Sequence, residues 1–589
     1  MIHNRMGYED TMLRGNMIDS SLLELKYLSD LDLSFNDFKG SSIPASLGSM
    51  KQLQYLNLSG AYDLRVDDFM WASNLSLLEY LDMSYVNLST TKDLVKVLST
   101  LPSLVELHLS ESGLDNTINL PHTNCLNSTQ LFTNVQHLDL RGNYFEGEFP
   151  CFLRNMTSLG YLDLSVNRYN SSSDLHFVTS SNLFHLDLSF NSLNHKADWI
   201  SDFLWDKCHL KSLNLEDNHF HGDISGAFKN VSGCWSKNLE ILSLGSNEFS
   251  GHLLEELGEL KQLKELDVSD NNLSGPIPSS LGYLRALTGL DVSRLELLDV
   301  GDNKLSGKLP HWNIGNYPPI LAVLRLRNNQ FHGAIPSVYC QLSQLQMMDL
   351  AQNNLTGNIP HCFGNLAGMV KDGTSRATLY DEMFRVSLSE VMKGVMMEYT
   401  KTAGYLVNLD LSSNHLVGDI PPKLTNLTGL IGLNLSHNHL GGEIPRKIGD
   451  MQSLESLDLS SNNLSGTIPG SLSKLTSLSH LKLSNNDLSG KIPTGPQLQT
   501  LNDTSNYEGN PGLCGPPLPK KCHIDNETSP KVENDDDGDR ADKMYLYAFI
   551  ISGVATGFWG YFGVLVFKRS WRIALFRHMD AVIGRMLGR

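Results

Sequence analysis

A short motif recurs about every 24 residues along most of this chain, and that period constrains the fold more than any other feature. Residues 451–498 contain two copies in register, and related copies extend back almost to the start. In the copy at 454–478, leucine and isoleucine recur at short, irregular spacings that fit neither an amphipathic helix nor a long alternating strand. Such spacing is typical of one coil of a solenoid, in which each repeat contacts only its neighbours.

Each copy predicts a short strand followed by a tight turn. Leu457 and Leu459 flank Asp458, so we expect both leucines to point inward and Asp458 to face solvent on the concave side. Asn462 lies in the following turn, where its amide can pair with backbone groups that would otherwise be buried without partners. We predict the same structural role for the asparagines at the equivalent place in other copies, namely Asn36, Asn143, Asn167, Asn191, Asn218, Asn247, Asn271, Asn303, Asn329, Asn353, Asn414, Asn438 and Asn486.

A Leu-Ser-Gly-x-Ile-Pro segment often follows the asparagine, as at 273–278, 464–469 and 488–493. The glycine permits a backbone turn, and the proline excludes a helix. This variant resembles the plant-specific class of extracellular leucine-rich repeats over residues 20–522. The resemblance implies an α/β-type solenoid with short parallel strands on the concave side and 3-10 or irregular segments on the convex side.

Residues 544–567 form an uncharged apolar stretch long enough to cross a bilayer as one helix. Acidic residues dominate before it, at 535–542, and basic residues follow it, at 568–589, so the positive-inside rule places the repeats outside the cell. Gly553 and Gly557 form a GxxxG face that allows close approach of a second helix. We expect a single-pass type I plasma-membrane protein with a cytoplasmic C-terminal tail.

Nothing in the residue content points to catalysis. The predicted tail, 568–589, is too short for a folded domain, and the chain contains no glycine-rich phosphate loop, His-Arg-Asp loop or Asp-Phe-Gly sequence. Aspartates that recur once per coil fit the repeat pattern better than an irregular acid–base pair. A net charge of −18 excludes a nucleic-acid partner. We expect no enzymatic activity, no cofactor and no metal.

The eight cysteines fall as near neighbours in the sequence, which fits an extracellular address. Three of the pairs lie about one repeat apart, and adjacent coils about 5 Å apart suit the Cα separation of a disulfide. Zinc is the alternative, disfavoured because no CxxC pair or paired histidines accompany the cysteines. The predicted disulfides are Cys125–Cys151, Cys208–Cys234, Cys340–Cys362 and Cys514–Cys522.

Asn-x-Ser/Thr sequons also indicate a glycosylated ectodomain. Several coincide with the repeat consensus or with the concave strands, where a glycan would block a ligand. The four sequons that we prefer as glycosylation sites are Asn127, Asn155, Asn230 and Asn426.

Ligand specificity is expected on the concave face, because its side chains can vary without harming the leucine core. Arg325 and Arg327 are preferred, since strand alternation would put both cations on one exposed face. The full set of concave candidates is His108, Asn214, Glu216, Ser243, Arg325, Arg327 and Lys482.

An island without the repeat pattern, at 366–404, interrupts the array. Long insertions of this kind are often binding elements, and a disordered spacer is the alternative. The repeats, island, acidic juxtamembrane run, single span and basic tail together resemble kinase-less plant leucine-rich-repeat receptor-like proteins. Lys393 and Tyr399 form a Lys-x5-Tyr element similar to one in defence members of that family, which implies contact with a SERK-type co-receptor kinase.

The segments RMGYED, LLELKYLSDLDLSFNDFKG and SWRIALFRHMD resemble the ethylene-inducing xylanase receptor subgroup of that family. The resemblance implies recognition of a microbial protein, an immune output, and a SOBIR-type adaptor kinase beside the Gly553–Gly557 face. Three alternatives stay open: a developmental co-receptor for a secreted peptide, an enzyme-inhibitor-like repeat protein, and a truncated product that does not signal.

Two features depart from the family. Residues 1–16 contain no apolar signal-peptide core, which predicts a truncated N-terminus. Leu290 and Leu298 begin similar motifs only eight residues apart, so we expect a missing or looped-out piece near Ser293. The predicted organisation is an N-terminus at 1–20, repeats at 21–365 and 405–500 around the island at 366–404, a C-terminal cap at 501–525, an acidic linker at 526–543, a transmembrane helix at 544–567 and a tail at 568–589.

Overall fold

Each repeat contributes a three-residue strand to one long parallel sheet. The computed structural model describes residues 24–61, 64–116, 132–170, 178–228, 233–283, 295–312, 320–370, 388–399 and 406–522, which all belong to one compact unit. In these ranges the long sheet has 17 strands: Asp30–Asp32, Tyr55–Asn57, Tyr80–Asp82, Glu106–His108, His137–Asp139, Tyr161–Asp163, His185–Asp187, Ser212–Asn214, Ile241–Ser243, Glu265–Asp267, Leu297–Asp299, Val323–Arg325, Met347–Asp349, Asn408–Asp410, Gly432–Asn434, Ser456–Asp458 and His480–Lys482.

The middle residue of each strand points into the coil. Leu457 is aligned with Leu433 of the preceding coil and Leu481 of the next, and all three are buried. Because side chains alternate along a strand, the first and third residues lie on the outer face of the sheet, which we call the concave face. The leucine-rich-repeat solenoid predicted from the sequence is confirmed.

Further strands form smaller sheets beside the long one. An eight-stranded parallel sheet contains His221–Asp223, Glu248–His252, Asn272–Gly275, Lys304–Lys308, Gln330–Ala334, Asn354–Asn358, His415–Asp419 and His439–Gly441. The remaining described strands are Ser465–Thr467, Asp487–Lys491 and Gly512–Cys514 in one sheet, Glu146–Gly147 and Arg168–Tyr169 in a second, and Leu388–Met392 and Val395–Tyr399 in a third.

Short helices occupy the far side of the coils. Proline precedes several of the 3-10 turns, as at Pro336 and Pro469, where its fixed φ and missing N–H end the extended segment. The described α-helices are Leu94–Leu98, Asp198–Leu204, Ile224–Phe228 and Pro496–Thr500. The described 3-10 helices are Ala45–Ser49, Met70–Asn74, Cys151–Asn155, Cys234–Lys237, Glu255–Glu259, Ser279–Tyr283, Ser337–Gln341, His361–Asn365, Ala367–Met369, Pro422–Asn426, Ile448–Asp450, Gly470–Lys474 and Thr504–Asn506.

The predicted asparagine ladder is present. Asn462 Nδ2 donates to the carbonyls of Leu435 at 2.9 Å, Ser460 at 3.2 Å and Leu459 at 3.3 Å, while its Oδ1 accepts the N–H of Leu440 at 3.0 Å. The ladder also extends further than predicted, because Asn510 makes the equivalent bonds inside the C-terminal cap. Each amide thus joins its own turn to the neighbouring coils.

Three predicted disulfides are confirmed. Their Cα separations are 4.8 Å for Cys208–Cys234, 5.6 Å for Cys340–Cys362 and 5.0 Å for Cys514–Cys522. The first two join adjacent coils, and the third closes the C-terminal cap. Cys125 lies outside the described residues, so the remaining predicted pair, Cys125–Cys151, stays a prediction.

Some predictions fall on residues whose structure is not described. The span at 544–567 with Gly553 and Gly557, the N-terminus at 1–20, and the sequons Asn127 and Asn230 are among them. In the described ranges, no helix has the length and apolar character needed to cross a membrane. Of the other two sequons, Asn426 is exposed at the end of its 3-10 helix and Asn155 is half-buried.

The irregular spacing near Ser293 leaves the sheet continuous. Leu298 is the centre of a strand that pairs directly with Glu265–Asp267 in the preceding coil. Residues 284–294, which include Leu290 and Ser293, lie outside the described ranges. The coil between these two strands is therefore longer than its neighbours.

Candidate functional site: the concave face

The first half of the concave face carries a continuous stripe of aromatic rings. Parallel pairing places equivalent strand positions about 4.8 Å apart, which matches the spacing of stacked rings. The ring-centroid distances are 4.3 Å for Tyr55–Tyr80, 5.3 Å for Tyr80–His108, 4.4 Å for His108–His137, 3.9 Å for His137–Tyr161 and 4.2 Å for Tyr161–His185. We call these six residues the aromatic stripe.

Arg325 and Arg327 do not present two free cations to solvent, which corrects the prediction of their exposure. Their exposed fractions are 3% and 5%. Arg325 pairs with Asp299 at 2.9 Å and Asp302 at 2.6 Å, and Arg327 lies 3.4 Å from Asp349. Because coils stack so closely, a long side chain on one strand lies across the carboxylates of its neighbours. We call these five residues the arginine–carboxylate cluster.

Aspartates at the third strand position accept hydrogen bonds from the turn that follows. Asp267 Oδ1, for example, accepts the N–H of Ser269 at 2.8 Å. Burial, together with the like charge on the neighbouring coil, raises the pKa of three of these carboxyls to about 7; the pairs are Asp187 with Asp163, Asp267 with Asp299, and Asp349 with Asp410. These residues therefore serve the turns, as the repeat pattern predicted.

Other predicted concave residues are mostly buried. Asn214 takes the place of an aspartate, accepting the N–H of Glu216 at 3.0 Å and donating to Asp187 Oδ2 at 3.2 Å. Glu216 and Ser243 are also buried. His108 and Lys482 remain partly exposed, and Lys482 Nζ lies 3.1 Å from Ser505 Oγ in the cap. A ligand role for any of these residues stays a prediction.

The island contains a hairpin that lies on the second half of the concave face. Strands Leu388–Met392 and Val395–Tyr399 pair antiparallel through a two-residue turn, with φ of +55° at Lys393 and +76° at Gly394. This conformation suits the twist of a tight hairpin. We call residues 388–399 the island hairpin.

Met392 anchors the island hairpin to the sheet. It is buried in a small apolar cluster with Leu297, Val323, Met347 and Leu406, which is separate from the main leucine core. Three of these partners are first-position residues of concave strands. The repeat array thus provides an apolar seat for the hairpin on these three strands.

A glycine makes this contact possible. A Cβ at Gly432 would lie 2.8 Å from Met392 Sδ and 2.2 Å from Asn408 Oδ1, so a larger residue there would displace one of them. At the hairpin turn, Lys393 Nζ lies 3.1 Å from Glu455 Oε2. Burial lowers the pKa of His480 under the turn, and the nearby cations Lys482 and Lys393 lower it further.

Three consecutive apolar residues of the island hairpin are exposed. Val395, Met396 and Met397 have exposed fractions of 62%, 48% and 46%. Tyr399 packs beside the Met392 cluster and its hydroxyl lies 3.6 Å from Met397 Sδ. Lys393 and Tyr399, which the sequence predicts as one Lys-x5-Tyr element, therefore both lie on the island hairpin. Lys393 is at the turn, whereas Tyr399 packs beside the Met392 cluster.

The aromatic stripe and the seat of Met392 were not predicted from the sequence. The stripe has a readable signal, because its residues precede or follow the central leucine of successive strand motifs, as in Tyr-Leu-Asp and His-Leu-Asp. The seat of Met392 has a weaker signal in the sequence, because Leu297, Val323 and Met347 are apolar at a position where most copies have a polar residue. Aligning the copies position by position would reveal both.

Family comparisons agree with this architecture. The family described as "Leucine rich repeat" matches residues 405–464 and 445–488, and a second model, "Leucine Rich Repeat", matches 134–156, 209–231, 238–260, 262–284 and 344–366. With the stacked parallel strands and the asparagine ladder, these matches identify the repeats as leucine-rich repeats.

Within that class, the chain is similar to plant receptor-like proteins of the EIX group. It is 51% identical to the receptor-like protein EIX2 of Solanum lycopersicum over 297 residues, which are 48% of this chain and 29% of that protein. The chain spans no more than about a third of the length of the curated relatives it matches.

Solved structures show the same fold in plant receptors. PEPR1 in complex with AtPEP1 has a TM-score of 0.59 and 27% identity, covering 86% of this chain and 65% of that one. The Arabidopsis receptor kinase HAESA, solved with the peptide hormone IDA and the co-receptor SERK1, has a TM-score of 0.56 and 30% identity, covering 85% and 77%.

Proposed function

We propose that this chain is a kinase-less cell-surface receptor-like protein that binds an extracellular ligand and signals through partner receptor kinases in plant defence. The observation that carries the proposal is the island hairpin, which is anchored by buried Met392 while Val395, Met396 and Met397 stay exposed. Several exposed apolar side chains on one anchored element are typical of an interaction site. Binding, rather than catalysis, is the mechanism.

The ligand in this proposal is a microbial protein that contacts the first half of the concave face. Similarity to EIX2 supports the defence role. The aromatic stripe supports the binding role, because rigid aromatic side chains supply large contact area at low cost in conformational entropy. The buried arginine–carboxylate cluster, by contrast, is a structural element in this proposal.

The partners are a SERK-type co-receptor at the island hairpin and a SOBIR-type adaptor at the transmembrane Gly553–Gly557 face. HAESA is solved with a peptide and SERK1 on a repeat array of the same fold, which supports the co-receptor assignment. Lys393 sits at the hairpin turn beside Glu455, and the apolar patch lies next to it along the chain. We assign the co-receptor contact to Lys393, Tyr399 and this patch.

A developmental peptide receptor is the second candidate. It is favoured by the similarity to HAESA, whose ligand is a peptide hormone. The two candidates differ in the ligand, since a folded protein would span many coils of the stripe while a short peptide would occupy few. Binding of a purified microbial xylanase to the full chain would favour the first candidate.

Co-precipitation from leaf cells tests the co-receptor assignment. The tagged full chain, with a supplied signal peptide, is expressed with SERK-type and SOBIR-type kinases. We expect Met397→Asp and Lys393→Ala to reduce recovery of the SERK-type kinase several-fold and to leave the SOBIR-type kinase unchanged. Lys423→Ala, an exposed lysine on a 3-10 helix, is the matched control.

For variants of the transmembrane Gly553–Gly557 face, we expect the opposite result. Gly553→Leu with Gly557→Leu should release the SOBIR-type kinase and leave the SERK-type contact intact. If the parent chain recovers neither kinase, or if Met397→Asp recovers as much SERK-type kinase as Lys423→Ala, the proposed scaffold is wrong.

A further inference from the structure

Two imidazoles and one carboxylate meet on the concave face, within the aromatic stripe. Glu106 and His108 are the first and third residues of one strand, so their side chains lie on the same face. His137 is the first residue of the next strand and is aligned with Glu106. One ligand atom from each of the three residues lies within 4.8 Å of the other two.

One atom of this group has no hydrogen-bond partner. His108 Nε2 is buried, and its nearest carboxylate oxygen, Glu106 Oε2, is 3.6 Å away. A buried imidazole nitrogen without a partner is unfavourable, because it has left water without compensation. The adjacent Glu106 side chain is about half-exposed, so the group is open to solvent on one side.

We propose that Glu106, His108 and His137 bind a divalent transition-metal ion of the zinc type. Imidazole nitrogen and carboxylate oxygen are normal zinc ligands, whereas calcium and magnesium prefer oxygen ligands alone. Zinc–nitrogen bonds of about 2.05 Å in a tetrahedron place neighbouring ligand atoms about 3.3 Å apart. The separation of 3.6 Å between His108 Nε2 and Glu106 Oε2 is already close to that distance.

The neighbouring side chains favour a cation here. His108 is aligned with Asp82 on the preceding strand and with Asp139 on the following one. These carboxylates make the local potential negative, which attracts a positive ion. His137 is stacked on Tyr161 at 3.9 Å, and this contact fixes the plane of its imidazole.

Three protein ligands leave one tetrahedral position open. In zinc sites of this kind that position holds water or an incoming group. Because the open side faces away from the leucine core, a carboxylate or imidazole of an extracellular ligand could occupy it. The inference does not depend on the proposed co-receptor contact, which lies on the island hairpin.

Metal binding to the purified full chain in detergent is the direct test. Equilibrium dialysis with Zn²⁺ measures affinity and stoichiometry, and visible absorption with Co²⁺ reports the coordination number. We expect one site per chain with a four-coordinate cobalt spectrum. His108→Gln, His137→Gln and Glu106→Gln should each weaken zinc binding by about tenfold or more.

His185→Gln is the matched control. His185 belongs to the same aromatic stripe and stacks on Tyr161 at 4.2 Å, but it lies outside the three-residue group. We expect this variant to keep the affinity of the parent within about twofold. A similar loss in His185→Gln, or unchanged binding in both His108→Gln and His137→Gln, would overturn the proposal.

Thermal unfolding gives a second measurement of zinc binding, which still applies if a variant is less stable than the parent. An ion that binds only the folded state raises the Tm as its concentration rises. We expect a zinc-dependent rise in the parent and in His185→Gln and none in His108→Gln. No rise in the parent, with no site found by dialysis, would contradict the inference.

Discussion

Asn438 lies buried in the turn behind its strand, where its amide nitrogen donates to the carbonyls of Leu411, Leu435 and Ser436 at 3.0–3.2 Å. Its Oδ1 accepts the N–H of Leu416. One side chain therefore satisfies backbone groups of two coils. Arg325 differs from its prediction. The sequence predicts that it faces a ligand, but its side chain is buried against neighbouring residues.

Asn438→Ala should destabilise the solenoid. The change leaves the buried N–H of Leu416 without its acceptor and removes one of the donors to the carbonyls of Leu411, Leu435 and Ser436. Because an unpaired buried donor costs about 1–3 kcal/mol, we expect a loss of about that size, measured as a lower Tm by circular dichroism. His439→Ala, at the exposed next position, should change stability by no more than about 0.5 kcal/mol. Equal Tm values for the two variants would contradict the structural role.

Arg325→Met should also be costly. Removing the guanidinium leaves Asp299 and Asp302 without their cation, and breaking a buried pair typically costs about 3–5 kcal/mol. Arg446→Met is the control, because Arg446 is 89% exposed and lies 3.9 Å from its nearest carboxylate. If chemical denaturation gives both variants the stability of the parent, the cluster is not a structural element.

At the scale of elements, the island hairpin is an insertion held by one apolar anchor. Met392 fills a seat made by three strands of the long sheet, and Gly432 leaves the space that its sulfur needs. The hairpin can therefore keep a defined position although the repeat pattern is absent from it. Its exposed residues are then presented by a fixed element.

Met392→Asp should release the island hairpin from the sheet. A carboxylate in the apolar cluster would be buried without a partner, which is unfavourable. The state in which the hairpin has left the sheet therefore becomes favoured. We expect faster hydrogen exchange at residues 388–399, measured by mass spectrometry, with little change in the flanking coils. Met397→Asp, on the exposed side, should exchange like the parent. Equal exchange in both variants would mean that Met392 is not the anchor.

At the scale of the whole molecule, stacking puts aspartates of successive coils side by side. Burial and the like charge of the aspartate on the neighbouring coil raise the pKa of Asp187, Asp267 and Asp349 to about 7, well above their values in an unfolded chain. The folded state therefore binds protons more tightly than the unfolded state between about pH 4 and 7. These groups stabilise the fold less as pH rises through that window. His480, whose pKa burial lowers, contributes with the opposite sign.

The Tm of the full chain should consequently fall between pH 5 and pH 7.5. Asp267→Asn should make that fall smaller, because an amide keeps the acceptor for Ser269 and carries no charge to bury. Each unit of pKa difference corresponds to about 1.4 kcal/mol. Asp419→Asn, at an exposed position, should leave the pH profile unchanged. A profile that rises with pH in the parent, or one unaltered by Asp267→Asn, would refute the assignment.

The amino-acid sequence by itself determined the repeat, the inward leucines, the asparagine ladder and three of the disulfides. These features depend on residues within one coil or about one period apart, so the repeat spacing is enough to locate them. The island could be located in the same way, as the place where the period fails.

Only the tertiary structure decided which concave side chains are available. Arg325 is buried because carboxylates on adjacent coils converge on it, and Met392 is buried because the island hairpin returns to strands far from it in the chain. Both outcomes depend on side-chain reach across several stacked coils. The period specifies which residues are neighbours, but the packing of those neighbours decides whether a charged or aromatic side chain is exposed to solvent.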